Sequence, residues 1–155
     1  MKTLQNLLTH PIFLSGIFAW FSAQFIKAIV SIFRTRGKMR KRDLFLSLVW
    51  STGGMPSSHS AVVTAITVAV GIKTGFDSVL FIVSFFFASL AIRDAMGVRQ
   101  AAGNQARALN QIINELNERF DGSHKTVKEI RGHKASEVVV GILLGIFLAI
   151  AFCTQ

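Results

Sequence analysis

The sequence predicts an all-α integral membrane protein. It would be a helical bundle of about four transmembrane helices plus one interfacial amphipathic helix, in a single domain over residues 1–155. Three observations predict this. The chain is 51% hydrophobic and 16% charged, too apolar for an ordinary soluble domain. The apolar residues fall in nearly uncharged runs, and the basic residues flank those runs. The net charge is +9. Taken alone, that charge would suit nucleic acid. Beside apolar helices it suits anionic headgroups and phosphate substrates, so no nucleic-acid partner is expected. The one cysteine, Cys153, excludes an intramolecular disulfide and a Cys-based metal site.

Pro11 to Phe33 contains one charge, Lys27, and is long enough for a full span. It is too long for a secretory signal, and no small-residue cleavage site follows. Arg34 to Arg42 carries six basic residues and no acid. Asp43 to Trp50 is apolar but too short to cross, so it should re-enter or lie at the interface, broken by Gly53-Gly54. Ser57 to Gly75 is the second expected span, uncharged between His59 and Lys73. Asp77 starts a turn. Ser78 to Ile92 is the third span, with Arg93 and Asp94 following and Gly97 expected to end it. Val98, Ala102, Leu109, Ile112, Leu116 and Phe120 then recur at helical spacing, the mark of an amphipathic surface helix. Arg107, Glu115, Glu118 and Arg119 occupy the rest of its surface. Asp121-Gly122 signals a turn, and Val138 to Cys153 is the fourth span.

Parity fixes an expected topology. Of the 17 Lys and Arg, 14 lie on the side of the Arg34–Arg42 loop. The positive-inside rule makes that side cytoplasmic and turns both termini outward. Parity also brings Lys27, His59, Asp94, Arg99 and His133 to that one face.

Such a set suits phosphate-ester chemistry. Cations hold phosphoryl oxygens, and Arg offers a planar fork that matches them. Helix N-termini add N–H donors. Histidine becomes a nucleophile when a carboxylate orients its other ring nitrogen. His133 and Glu137 are four apart, one above the other on a helix. Two histidines at separate helix mouths fit this better than they fit a metal site, so neither metal nor organic cofactor is expected.

The chain resembles the type 2 phosphatidic acid phosphatases, the superfamily that includes vanadium-dependent haloperoxidases, and in particular its small divergent bacterial branch. Lys27-Ala-Ile-Val-Ser-Ile-Phe-Arg34 matches that family's first motif without its proline. Pro56-Ser57-Ser58-His59 matches the second, with Ser58 in place of glycine. The third survives as His133, three residues, then Glu137, and Val127 stands where its arginine belongs. Gly53 to Ala61, Asp94 to Arg99 and Lys128 to His133 look like the branch's own signatures.

The resemblance implies roles. His133 would attack phosphorus, Glu137 (where the wider family uses Asp) would orient it, and His59 would protonate the leaving oxygen. Ser57, Ser58 and the backbone N–H groups at the start of span two would bind phosphate, with Lys27 and Arg34 as cations. Arg99 is the preferred replacement for the missing arginine and Lys128 its competitor, while Asp94 would pair with Arg93 or Arg99. The expected protein is a lipid-phosphate phosphatase of the bacterial inner membrane with a cytoplasmic site, acting on a phospholipid or isoprenyl phosphate. Phosphatidylglycerophosphate is the first candidate, and an isoprenyl diphosphate or phosphatidic acid the next. A non-catalytic anion-binding membrane protein is the rival.

Overall fold

A computed structural model describes residues 2–34, 54–120, 122–129 and 132–154. Regular structure among them is entirely helical: α1 (Lys2–Leu8), α2 (Pro11–Arg34), α3 (Ser58–Thr74), α4 (Val79–Arg93), a π-helical turn (Asp94–Val98), α5 (Arg99–Phe120) and α6 (Ala135–Cys153). Among the described residues, three stretches are long and apolar enough to cross a membrane: Pro11–Phe33, Val79–Phe120 and Ala135–Cys153. Phe25, Phe33, Phe86, Phe87 and Phe147 are exposed on them, as lipid-facing residues are. The expected short segment at Asp43–Trp50 lies outside the described residues.

α3 sits at the centre, packed against α2, α4 and α6. Its 17 residues span about 25 Å at the α-helical rise. Local chemistry sets both its ends. Ser57 caps the N-terminus, its hydroxyl accepting from the Ser60 N–H at 3.4 Å. At the other end Gly75 adopts φ 95°, a conformation that leaves the helix and that glycine tolerates. Ser78 then caps α4 by accepting from Phe81 N–H at 3.1 Å. His10 is placed to cap α2, its Nδ1 accepting from Ile12 N–H at 3.3 Å.

Small residues bring the helices together, which replaces the hydrophobic drive that lipid cannot supply. Ala61, Ala65 and Ala69 are fully buried along α3, the first two packed against Ala19 and Ala23 of α2. On α6, Gly141 and Gly145 meet α3 backbone. A Cβ on Gly141 would lie 2.5 Å from the Ser57 carbonyl oxygen, and one on Gly145 would lie 2.5 Å from that of Ala61. Ser57 thus meets Gly141, Ala61 meets Gly145, and Ala69 packs with Ala149 and Cys153. α3 and α6 therefore run parallel, with their N-termini side by side. α2 and α4 run antiparallel to them: Lys27, near the end of α2, reaches Ser58, and Thr67 of α3 bonds the Ser84 carbonyl of α4.

One expectation is corrected. Gly97 does not end a helix. α4 continues through the π turn into α5, making one helical stretch from Val79 to Phe120. Glycine weakens a helix by only about 1 kcal/mol relative to alanine, and the helix-forming sequence beyond outweighs it. The amphipathic helix exists as expected, but as a prolongation of α4 rather than a separate surface element. Its apolar residues Leu109, Ile112 and Leu116 are exposed.

Candidate functional site

The site lies where the first turns of α3 and α6 meet the end of α2. The Ser57 N–H donates to the Glu137 carbonyl at 2.8 Å, locking the two helix mouths together. Just before α6, the His133 N–H donates to the Ala95 carbonyl at 3.2 Å, inside the π turn. A π turn shifts the helix hydrogen bonds from i→i+4 to i→i+5, and the Ala95 carbonyl within it accepts the His133 N–H from outside the helix. Gly132 allows this approach, because a Cβ there would come within 2.8 Å of the Gln100 backbone.

Residues 122–129 are held along α5 by two asparagines. Asn117 accepts from His124 N–H at 2.8 Å and donates to its carbonyl at 3.0 Å. Asn110 does the same to Val127, at 2.7 and 2.9 Å. The asparagines are two helical turns apart, about 10.5 Å. Three residues of extended chain cover about 10 Å, so the two repeats match. His124 also places its ring Nδ1 2.9 Å from Asn117 Oδ1, which gives this histidine a structural part.

His133 is 7% exposed, and its Nδ1 lies 2.9 Å from Glu137 Oε2. The same carboxylate oxygen accepts from the Lys134 backbone N–H at 3.3 Å. Glu137 thus holds the ring and caps the helix at once. With Nδ1–H donated to the carboxylate, the lone pair of Nε2 is the one left for chemistry. Lys27 is 5% exposed inside the bundle, and its ammonium donates to Ser58 Oγ at 3.2 Å. His59 is exposed at the mouth of α3, within electrostatic reach of Arg99, His133, Lys27 and Asp94. Glu137 likewise acts on Lys27. Five residues expected on one face are therefore gathered at one end of the bundle, together with Glu137.

The other expected residues fall differently. Ser57 is fully buried, and its oxygen takes both the Ser60 N–H and the Ser60 hydroxyl, the latter at 3.0 Å. It builds the cap, and Ser58 is the serine that meets Lys27. The N–H groups of Ser58 and His59 belong to the first turn and have no helical carbonyl to bond, which suits them to anionic oxygens. Asp94 pairs with Arg99, Oδ2 to Nε at 3.2 Å, rather than with Arg93. Arg34 ends α2, and Arg36, near enough in sequence to compete for its role, lies outside the described residues. Lys128 is exposed on the stretch held by Asn110. No cluster of metal-ligating side chains occurs among the described residues.

Two residues escaped sequence reasoning. Arg107 lines a cavity of about 670 Å³ together with His133, Gln100, Glu129 and Lys134. Its only sequence mark is membership of the amphipathic helix. Gln24 is 5% exposed one turn before Lys27, and its Oε1 has no hydrogen-bond partner among the described residues. An unpaired buried amide oxygen costs about 1–3 kcal/mol, so this atom calls for a donor such as a water or a hydroxyl. A polar side chain inside an apolar span was the available signal.

The phosphatase activity that the resemblance implies makes different predictions for Arg99 and Lys128. Arg99→Lys keeps the charge and loses the fork, and should lower phosphate release with the fold intact. Arg99→Ala should cost more and weaken inhibition by vanadate, while Lys128→Ala keeps both properties. The reverse pattern would identify Lys128 as the phosphate-binding cation.

Comparison with known proteins agrees with this frame. The chain is 40% identical over 156 residues to the "Uncharacterized membrane protein YuiD" of Bacillus subtilis (strain 168), covering 94% of this chain and 95% of that one. No solved structure matches. The model of the Divergent PAP2 family matches residues 8–148, nearly the whole bundle and every gathered residue, and the chain belongs to that family.

Proposed function

We propose that this membrane protein is a lipid-phosphate phosphatase that hydrolyses a phosphomonoester through a phosphohistidine. The observation that carries the proposal is the His133–Glu137 pair at 2.9 Å, at a helix mouth tied directly to the one bearing His59. Nε2 of His133 attacks phosphorus as the bond to the leaving oxygen breaks, and His59 gives that oxygen its proton. Water then attacks the phosphohistidine, His59 takes a proton from it, the N–P bond breaks, and inorganic phosphate leaves. Lys27, Arg99, the Ser58 hydroxyl and the first-turn N–H groups of α3 hold the phosphoryl oxygens, where charge spreads in the transition state.

A site at the end of a membrane bundle suits a substrate held in the bilayer. Phosphatidylglycerophosphate at the cytoplasmic leaflet is the first substrate to test, with an isoprenyl diphosphate and phosphatidic acid beside it. Purified protein in detergent should release phosphate from at least one of them, and vanadate, which mimics the trigonal-bipyramidal phosphoryl group, should inhibit. Vanadate binding without any phosphate release would favour a non-catalytic anion-binding protein instead.

The orientation has its own test. In a Cys153→Ser background, an impermeant thiol reagent applied to intact cells should label Lys73→Cys and spare Arg40→Cys. Labelling of Arg40→Cys alone would invert the topology and remove the inner-leaflet substrate.

A further inference from the structure

A groove of about 580 Å³ opens between α2 and α3, reaching α1, and its walls are almost wholly apolar. Phe13, Gly16 and Trp20 line it from α2, and Val62 and Ile66 from α3. Both sets are in register with the site. Val62 and Ile66 follow His59 by three and seven residues, which puts all three on one face of α3. Trp20, Gly16 and Phe13 precede Lys27 by seven, eleven and fourteen residues, close to one face of α2. The groove is therefore the continuation, into the bundle, of the surfaces that carry His59 and Lys27. Gly16 keeps it open and the helices close: a Cβ there would lie 3.1 Å from Ile66 Cγ1.

We propose that this groove holds the hydrocarbon chain of the substrate's leaving group, so that the protein selects lipid phosphates by chain as well as by phosphate. This rests on the phosphatase reading above. His59 gives its proton to the leaving oxygen, so the leaving group must begin beside His59. Val62 is the next residue on that face, and the chain enters the groove there. The direction fits a lipid whose phosphate is at the bundle end and whose chain points into the bilayer. Along α2, Trp20 lies about 10 Å and Ile12 about 22 Å from Lys27, so the groove carries the chain past the bilayer centre, which is about 15 Å in. Bulk acyl chains of the bilayer could also fill the groove, but they would not couple chain length to turnover.

The test uses the full-length protein in detergent with monoalkyl phosphates of increasing chain length, and with p-nitrophenyl phosphate as a chainless substrate. Wild-type kcat/KM should rise with chain length and level off once the groove is full. Ile66→Trp, which fills the groove from an exposed position, should raise KM for hexadecyl phosphate about tenfold. It should leave p-nitrophenyl phosphate hydrolysis within twofold of wild type. Ile82→Trp, on the exposed surface of α4 and outside the groove, should change neither. Equal losses on both substrates, no loss on either, or a wild type indifferent to chain length would each overturn the groove. No phosphate release from any substrate would instead overturn the phosphatase reading on which it stands.

Discussion

His133→Ala is expected to abolish phosphate release and to leave no phosphoenzyme when the protein is quenched during turnover. It removes the atom that forms the covalent bond, and no neighbour can replace it. Glu137→Gln tests the geometry more finely. In the wild type one oxygen, Oε2, serves both the Lys134 N–H and His133 Nδ1, so an amide nitrogen in its place gives up the cap bond, worth about 0.5–1.5 kcal/mol, which leaves the fold standing. That nitrogen donates to Nδ1 of His133, which moves the ring proton to Nε2 and blocks the attacking lone pair. The analogous carboxylate-to-amide change in a serine protease triad costs roughly 10⁴-fold, so a loss of roughly 10²–10⁴-fold is expected here. His59→Ala should slow lipid phosphates by about 100-fold or more, as for a lost general acid. That deficit should shrink on p-nitrophenyl phosphate, whose leaving oxygen needs little help from an acid. The deficit of His133→Ala should not shrink. Wild-type rates in His133→Ala, or equal His59→Ala deficits on both substrates, would overturn the assignment of roles.

Much of the bundle was legible from its apolar runs. α2, α3 and α6 begin and end within a few residues of the runs that predict them, because an uncharged stretch of that length has few alternatives in a bilayer. The gathering of Lys27, His59, Asp94, Arg99 and His133 at one end followed from parity alone. The join between α4 and α5 was not legible. Gly97 looks like a stop, and whether a helix ends or shifts its hydrogen-bond register at such a residue depends on what meets the turn from outside. Here that is the His133 N–H on the Ala95 carbonyl, some 38 residues away in sequence. Ser57 stands in a motif shared with proteins that bind phosphate, which marks it as a phosphate ligand, whereas its burial and its bonds to Ser60 make it a cap. Arg107 and Gln24 were missed for a common reason. Each is an ordinary residue for its helix, and only the packing around it makes it notable.

Gly141→Ala is expected to disable the site while touching none of its chemical groups. The added Cβ would sit 2.5 Å from the Ser57 carbonyl oxygen. That obstruction is backbone, so no rotamer change can relieve it. α3 and α6 must move apart by several tenths of an ångström or more. The motion would stretch the bond from Ser57 N–H to the Glu137 carbonyl, worth about 0.5–1.5 kcal/mol. Overpacking adds a further 1–3 kcal/mol or so. A destabilisation of that size leaves most of the protein folded in detergent, so the variant can be purified and assayed. Catalysis should suffer more than stability, because His59 and His133 are held in place by the two helices being separated. A misplacement of about 1 Å between reacting groups can cost on the order of 10²-fold. Leu143→Ala, on an exposed position of the same helix, is the control and should keep wild-type turnover. Gly141→Ala with a lowered melting temperature, a folded majority at the assay temperature and about a hundredfold lower phosphate release is the expected result. Normal release would mean that the helix mouths tolerate separation, and that the Gly141–Ser57 contact serves packing alone.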